Sequence, residues 1–149
     1  MIYLDTSCLL KLFLLEPESD AVREAIGGET EVVISSLTRL EAEVQFGAGH
    51  RDGRFGANQW RAYRAGLVRL LAQDPFHLRH LAGSVFDAAL RQEQQSKKIQ
   101  CRSLDRLHLA AMEELRLTRL MTHDTAQAAA ARALGFAVLG PGQRSVRPR

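Results

Sequence analysis

Two acidic residues directly follow apolar segments that are typical of buried strands. Asp5 follows MIYL at 1–4, and Asp124 closes the segment RLMTHD, whose strand-like part is 119–122. Ligands of parallel α/β sheets bind beyond the carboxyl ends of the strands, so both acids are predicted to lie at that edge. Each could instead be a turn residue or the cap of the helix that follows it.

Glu41 lies inside a segment with helical periodicity, 37–48. Leu37, Leu40 and Val44 form an apolar stripe, and the spacing places Glu41 on it. A carboxylate facing a core is costly unless it is paired or bound to a metal. The alternative is a glutamate at the edge of the stripe whose carboxylate reaches water.

Asp105 opens a predicted helix at 103–116 that is apolar over a wide arc, which predicts burial. An acid in a first helical turn is also favoured by the helix dipole, which offers a purely structural explanation. His108 follows three residues later on the same side of the helix. We interpret it as a packed histidine that at most supports the acids.

Carboxylates that converge without basic partners repel one another and raise each other's pKa values. A hard divalent cation with oxygen ligands, Mg²⁺ or Mn²⁺, relieves that repulsion. The two cysteines, Cys8 and Cys101, form no CxxC motif and no Cys/His cluster, so a zinc site is not indicated. Two free thiols fit a reducing cytoplasm.

The chain has 149 residues, of which 46% are hydrophobic and 25% charged, as expected for one globular domain. We predict a single domain at 1–142 and a basic, disordered tail at 143–149. Short apolar segments alternating with helices predict a three-layer α/β/α fold with a short parallel sheet covered on both faces. No apolar run is long enough to span a membrane, and no signal peptide is recognisable.

The predicted elements follow from periodicity and from the positions of Gly and Pro. Strands are predicted at 1–5, 31–35, 119–122 and 136–139, with 76–81 open between a strand and a turn. Helices are predicted at 7–15, 18–26, 37–48, 58–72, 83–96, 103–116 and 125–134.

The net charge of +3 conceals an excess of acids before residue 44 and of bases after it, and 17 of the 20 basic residues are Arg. Arginine suits phosphate recognition, although a GC-rich coding bias also favours it. The candidates for RNA contact are Arg51, Arg54, Arg61 and Arg64. The nearby Trp60 and Tyr63 follow helical spacing and favour packing in a core or a dimer face.

Four segments together resemble the PIN-domain ribonucleases, and more narrowly the VapC toxins. They are IYLDTS, VVISSLTRLEAE, SLDRLHLAAM and RLMTHDTAQAAAARALGFAVLG, and the resemblance spans 1–142. It implies that Asp5, Glu41, Asp105 and Asp124 form an acidic catalytic quartet. The three aspartates would bind metal, Glu41 would bind a second metal or act on the water, and Thr6 and Thr122 would supply supporting hydroxyls.

The activity that this resemblance implies is metal-dependent cleavage of structured RNA, in loops such as those of tRNA or rRNA. The chain would act as the toxin of a type II toxin–antitoxin pair, as a homodimer inhibited by a cognate antitoxin. An RNA-maturation nuclease of the same fold and a non-catalytic binding module remain open alternatives. A phosphoryl-transfer enzyme or receiver domain is disfavoured because Asp5 is followed by Thr6 and Ser7 and no lysine follows Lys98.

Overall fold

The computed structural model describes residues 1–95 and 100–140. In the described part, strands and helices alternate along much of the chain. The strands are β1 (Ile2–Leu4), β2 (Val32–Ser35), β3 (Phe76–Arg79), β4 (Arg119–Met121) and β5 (Ala137–Leu139). The helices are α1 (Thr6–Leu10), α2 (Ser19–Gly27), α3 (Ser36–Arg51), α4 (Ala57–Leu70), α5 (Ser84–Gln95), α6 (Ser103–Glu114) and α7 (Thr125–Ala133).

The strands form one five-stranded sheet in the order β3-β2-β1-β4-β5. Every neighbouring pair is parallel. The chain builds outward from β1 to β3 and then returns to place β4 on the other side of β1. The strand order therefore reverses between β1 and β4, which is where sheets of this type form a ligand-binding crevice.

The side chains of β1 alternate between two apolar layers, one on each face of the sheet. Ile2 and Leu4 join the layer under α1 to α4, whereas Tyr3 joins the layer under α5 to α7. All three are fully buried. The predicted three-layer α/β/α arrangement is confirmed, and 76–81, which the sequence left open, contains the edge strand β3.

Helix α1 ends at Leu10, five residues before the predicted end at 15. The early end is explained by Lys11. Its ammonium group donates to the carboxylate of Glu16 at 3.3 Å, to that of Glu18 at 3.2 Å and to the carbonyl of Pro17 at 3.0 Å. These bonds hold 11–18 in a turn rather than in a continued helix.

The predicted core-facing stripe of α3 is wrong. Leu40 and Val44 are 60% and 53% exposed. The face that packs on the sheet is instead made by Thr38, Ala42, Phe46 and Gly49. Thr38 belongs there because its hydroxyl lies 3.4 Å from the carbonyl of Leu4, which satisfies a polar group inside the core.

Helix α3 also continues to Arg51, past the predicted end at 48. Gly49 lies in this last part of the helix, and the ring of Phe55 packs where a side chain at position 49 would lie. The absence of a side chain therefore lets the turn towards α4 close on the helix, where the N–H of Arg54 donates to the carbonyl of Gly49 at 2.9 Å.

Within residues 1–95 and 100–140, no helix has the length and apolarity that crossing a bilayer requires. The predicted tail at 143–149 lies outside the described residues.

Phe46→Ala should lower the free energy of unfolding by about 3–5 kcal/mol, because it empties a fully buried site. The Phe46 ring contacts Phe13 and Tyr63, with centroids 5.5 and 5.3 Å apart. Leu40→Ala on the exposed face of the same helix is the control and should cost less than about 1 kcal/mol. Urea unfolding of the two variants measures the difference. Equal losses would contradict the assignment of the Phe46 face of α3, rather than the Leu40 face, to the core.

Candidate active site

Asp5 and Asp124 lie side by side at the point where the strand order reverses. The backbone N–H of Asp5 donates to the carbonyl of Met121 at 3.0 Å, which ties the end of β1 to the end of β4. Both acids also cap helices: Asp5 accepts from the N–H of Ser7, and Asp124 from the N–H of Gln127. The capping and sheet-edge interpretations are therefore both right.

Asp5 is held through one of its two carboxylate oxygens. Oδ2 accepts from the Ser7 hydroxyl at 2.7 Å and from the Thr122 hydroxyl at 3.0 Å, in addition to the capping N–H at 3.3 Å. Oδ1 lies 3.6 Å from Nε2 of His108. Because Oδ2 carries the structural bonds, Oδ1 is presented to the site.

Thr122 and Thr6 both take part in the site, each beside a different acid. The Thr122 hydroxyl donates to Asp5 and accepts from the N–H of Asp124 at 3.0 Å, so it links the two strand-end acids. The Thr6 hydroxyl donates to Oε2 of Glu41. These hydroxyls fix the orientation of the carboxylates that they contact.

Glu41 lies three residues after Thr38, on the flank of the buried face of α3, and is partly buried. Burial raises its pKa, but the hydrogen bond and charge of His108, the Thr6 hydroxyl and the charge of Arg102 outweigh burial and lower it. The His108 Nε2 to Glu41 Oε2 distance is 2.7 Å. Glu41 is therefore held as a carboxylate by partners on a single oxygen.

His108 is the residue whose importance the sequence interpretation understated. Its side chain is almost fully buried, with Nε2 on Glu41 and Nδ1 2.7 Å from the Tyr3 hydroxyl. The Tyr3 hydroxyl in turn contacts the Ser35 hydroxyl at 2.7 Å and that of Thr38 at 3.3 Å. Burial raises the pKa of Tyr3 far above its ordinary value, so Tyr3 stays protonated within this chain of hydrogen bonds.

Asp5, Glu41 and His108 offer ligand atoms that all lie within 4.8 Å of one another, so the three could hold a metal ion. Nε2 of His108 faces a carboxylate, however, and must carry a proton to make the 2.7 Å bond. A protonated nitrogen is not a metal ligand. We therefore interpret His108 as the residue that holds Glu41, and its spacing of three residues from Asp105 was the available signal.

Asp105 and Asp124 form the outer part of the site, together with Arg102, which the sequence interpretation did not single out. Arg102 donates through Nε to Asp105 at 2.9 Å and through a terminal nitrogen to Asp124 at 2.6 Å. Burial raises the pKa of Asp105, with the charges of Asp124 and Asp5 adding to the rise, while Arg102 lowers it. The four predicted acids are thus brought to one edge of the sheet.

The donor set fits a hard divalent cation. The pKa of Asp105 is raised mainly by burial, and the charges of Asp124 and Asp5 add to the rise although the Arg102 guanidinium opposes it. Asp5, Asp105 and Asp124 offer the oxygen atoms that Mg²⁺ and Mn²⁺ prefer. Oxygen-only ligation at a sheet edge can place a cation, a water molecule and a phosphate close together.

Of the predicted arginines, Arg51 ends α3, Arg54 lies between α3 and α4, and Arg61 and Arg64 lie on α4. Arg64 pairs with Glu43 at 2.6 Å and covers the Trp60 ring at 5.4 Å from its centroid. His50 also stacks on Trp60, with centroids 5.0 Å apart. Trp60 and Tyr63 pack against the core, as the spacing predicted.

Within residues 1–95 and 100–140, none of the other three predicted arginines forms an ion pair with one of the four acids. Arg61 donates to Asn58 on the exposed side of α4. Arg51 ends α3, about 15 Å along the helix axis from Glu41.

Tyr3→Phe should lower the free energy of unfolding by about 1–3 kcal/mol, because it leaves buried hydrogen-bonding groups of His108 and Ser35 without their partner. Tyr63→Phe is the matched control, since the Tyr63 hydroxyl makes an exposed bond to Gln59, and should change it by less than about 0.5 kcal/mol. Chemical denaturation measures both. A Tyr3→Phe protein as stable as its control would show that the buried hydrogen bonds are unimportant.

Comparison with known proteins agrees with this geometry. The family model described as the PIN domain matches residues 2–133. Ribonuclease VapC35 of Mycobacterium tuberculosis is 35% identical over 150 residues, which cover 96% of this chain and 98% of the relative.

Solved structures share the fold at lower identity. VapC20 of Mycobacterium tuberculosis, described as a toxin that cleaves the sarcin–ricin loop, has a TM-score of 0.68 at 18% identity and covers 99% of this chain and 100% of its own. A toxin–antitoxin complex from Klebsiella pneumoniae has a TM-score of 0.64 at 21% identity, covering 95% and 98%. The chain belongs to the PIN-domain family and, within it, to the VapC ribonucleases.

Proposed function

We propose that this VapC-family protein is a Mg²⁺- or Mn²⁺-dependent endoribonuclease that acts through Asp5, Glu41, Asp105 and Asp124. The observation that carries the proposal is the meeting of these four acids at the point where the strand order reverses. We further propose that residues 1–142 form a single nuclease domain.

Asp5, Asp105 and Asp124 would hold the cation. A bound Mg²⁺ or Mn²⁺ supplies an activated water molecule and offsets the charge that develops on the phosphate. Asp5 is prepared for this role because three donors fix Oδ2 and leave Oδ1 towards the site. Thr122 keeps the ends of β1 and β4 in register, so that Asp5 and Asp124 approach the same point.

Glu41 would orient the attacking water molecule and accept its proton. Its lowered pKa keeps it ionised, so it can accept hydrogen bonds from water. Thr6 and His108 both bind Oε2, and no donor in residues 1–95 or 100–140 is recorded on Oε1. The second oxygen is therefore the one that we assign to water.

The substrate that we propose is a loop in structured RNA, in tRNA or rRNA. Support comes from VapC20, a protein of the same fold that is described as cleaving the sarcin–ricin loop. Next to Asp124 a cleft lined by His123, Thr125, Ala128 and Arg132 could receive a nucleotide beside the cleaved bond. Arg51, Arg54, Arg61 and Arg64 are proposed to contact more distant phosphates.

We also propose that the protein is the toxin of a type II toxin–antitoxin pair and is inhibited by a cognate antitoxin protein. The similarity to the toxin of the Klebsiella pneumoniae complex supports this partner. The exposed pairs Phe86 with Leu90 on α5 and Leu40 with Val44 on α3 support a homodimer. Free thiols at Cys8 and Cys101 support action in the cytoplasm.

Asp5→Asn should reduce metal-dependent RNA cleavage by about a hundredfold or more, because it removes a charged ligand and keeps the helix cap. Asp20→Asn is the matched control: Asp20 is an exposed acid on α2 paired with Arg23, and the variant should cleave like the wild type. Cleavage of total RNA is measured with Mn²⁺ and with excess EDTA, alongside growth after induced expression. Sequencing the new RNA 5′ ends then identifies the target.

Four results would contradict the proposal, each at a different level. An Asp5→Asn protein that cleaves at the wild-type rate would show that Asp5 takes no part in catalysis. Wild-type cleavage that persists in excess EDTA would show that the activity does not depend on a divalent metal ion. RNA binding without cleavage under any Mn²⁺ condition would favour a binding module, and cleavage that leaves growth unaffected would favour an RNA-maturation enzyme.

A further inference from the structure

Arg102 places a cation in the outer part of the site. It is the residue immediately before α6, and its guanidinium bridges Asp105 and Asp124 at 2.9 and 2.6 Å. The side chain is 75% exposed, so nothing in its own packing compels this position. The two carboxylates lie 19 positions apart in sequence, one in α6 and one at the cap of α7. The bridge therefore joins groups that only the folded site brings together.

Both oxygens of Asp124 already accept hydrogen bonds, so a metal ion at this carboxylate would compete with the guanidinium of Arg102 for the same negative charge. Oδ1 accepts from the N–H of Gln127 at 2.9 Å and caps α7. Oδ2 accepts from Arg102 at 2.6 Å. A cation bound at Oδ2 would therefore lie within a few ångströms of the positively charged guanidinium, and the repulsion between the two favours movement of the guanidinium away from the carboxylate.

We propose that Arg102 is a positioning residue that acts as an internal counter-cation: it holds Asp105 and Asp124 together in the metal-free protein, and the divalent ion displaces it. This inference rests on the proposed metal-dependent function for the identity of the ion. The exchange is favourable because a divalent ion interacts with the carboxylates about twice as strongly as a single charge at the same distance. The exposed guanidinium can turn into solvent without opening the core.

Displacing the guanidinium weakens metal binding, so a variant without the positive charge of Arg102 should bind the ion more tightly. Arg102→Gln should bind Mn²⁺ about tenfold more tightly than the wild type, because the ion no longer competes with a positive charge a few ångströms away. Arg102→Lys keeps a charge but loses the forked geometry, so its affinity should fall between the two. Arg23→Gln changes an exposed arginine on α2 that is paired with Asp20, and should match the wild type.

Isothermal titration of Mn²⁺ into each RNA-free protein measures these affinities. Asp124→Asn is titrated in parallel and should lose most of the binding, which assigns the heat to this site. In the wild type, added Mg²⁺ should shift the Arg102 Nε–H resonance in a nitrogen-edited NMR spectrum, identified by its absence from Arg102→Lys. A structural role alone would change the melting temperature without tightening Mn²⁺ binding.

Unchanged or weaker Mn²⁺ binding by Arg102→Gln would overturn the exchange. An Arg102 resonance that stays fixed at saturating Mg²⁺ would overturn it as well. Neither result depends on catalysis, so the test is separate from that of the proposed function. If the wild type cleaves no RNA but Arg102→Gln binds Mn²⁺ more tightly, the exchange stands and the nuclease proposal fails.

Discussion

Mutual repulsion among four carboxylates is the constraint around which this edge of the molecule is organised. Parallel strands that end together bring Asp5 and Asp124 to one point, and α3 and α6 add Glu41 and Asp105. The charges of Asp124 and Asp5 add to the rise that burial causes in the pKa of Asp105, which is one sign of this repulsion. The fold tolerates it because each acid is held by hydrogen bonds to at least one of its oxygens.

The two sides of the site relieve this repulsion differently. On the inner side, buried hydrogen-bonding groups do so: the hydroxyls of Ser7 and Thr122 bind Asp5, that of Thr6 binds Glu41, and hydrogen bonds link His108 through Tyr3 to Ser35. On the outer side, the exposed guanidinium of Arg102 does so. A buried network is costly to disturb, whereas an exposed ion pair exchanges readily. The inner side is thus suited to hold a fixed geometry and the outer side to admit a cation.

The layers and the strand-end acids could be predicted from sequence, because hydrophobic periodicity and the positions of Gly and Pro indicate where strands and helices begin and end. The core-facing side of α3 could not. Leu40 and Val44 are apolar but exposed, and Thr38 is polar but buried because its hydroxyl has partners inside the core. Glu41 lies beside the other acids although the stripe to which the sequence assigned it is wrong, because Glu41 lies on the flank of the buried face that contains Thr38.

The role of Arg102 and the hydrogen bonds that link His108 to Tyr3 and Ser35 could not be predicted for a related reason. Both depend on contacts between residues far apart in sequence, such as Arg102 with Asp124 and Tyr3 with His108. Local periodicity carries no information about such pairs. The most direct test of the account is the anomalous scattering signal of a crystal grown with Mn²⁺. The account predicts a peak about 2 Å from oxygens of Asp5, Asp105 and Asp124, with Arg102 turned away. A crystal saturated with Mn²⁺ that shows no peak at this edge, with Arg102 still bridging the two aspartates, would contradict it.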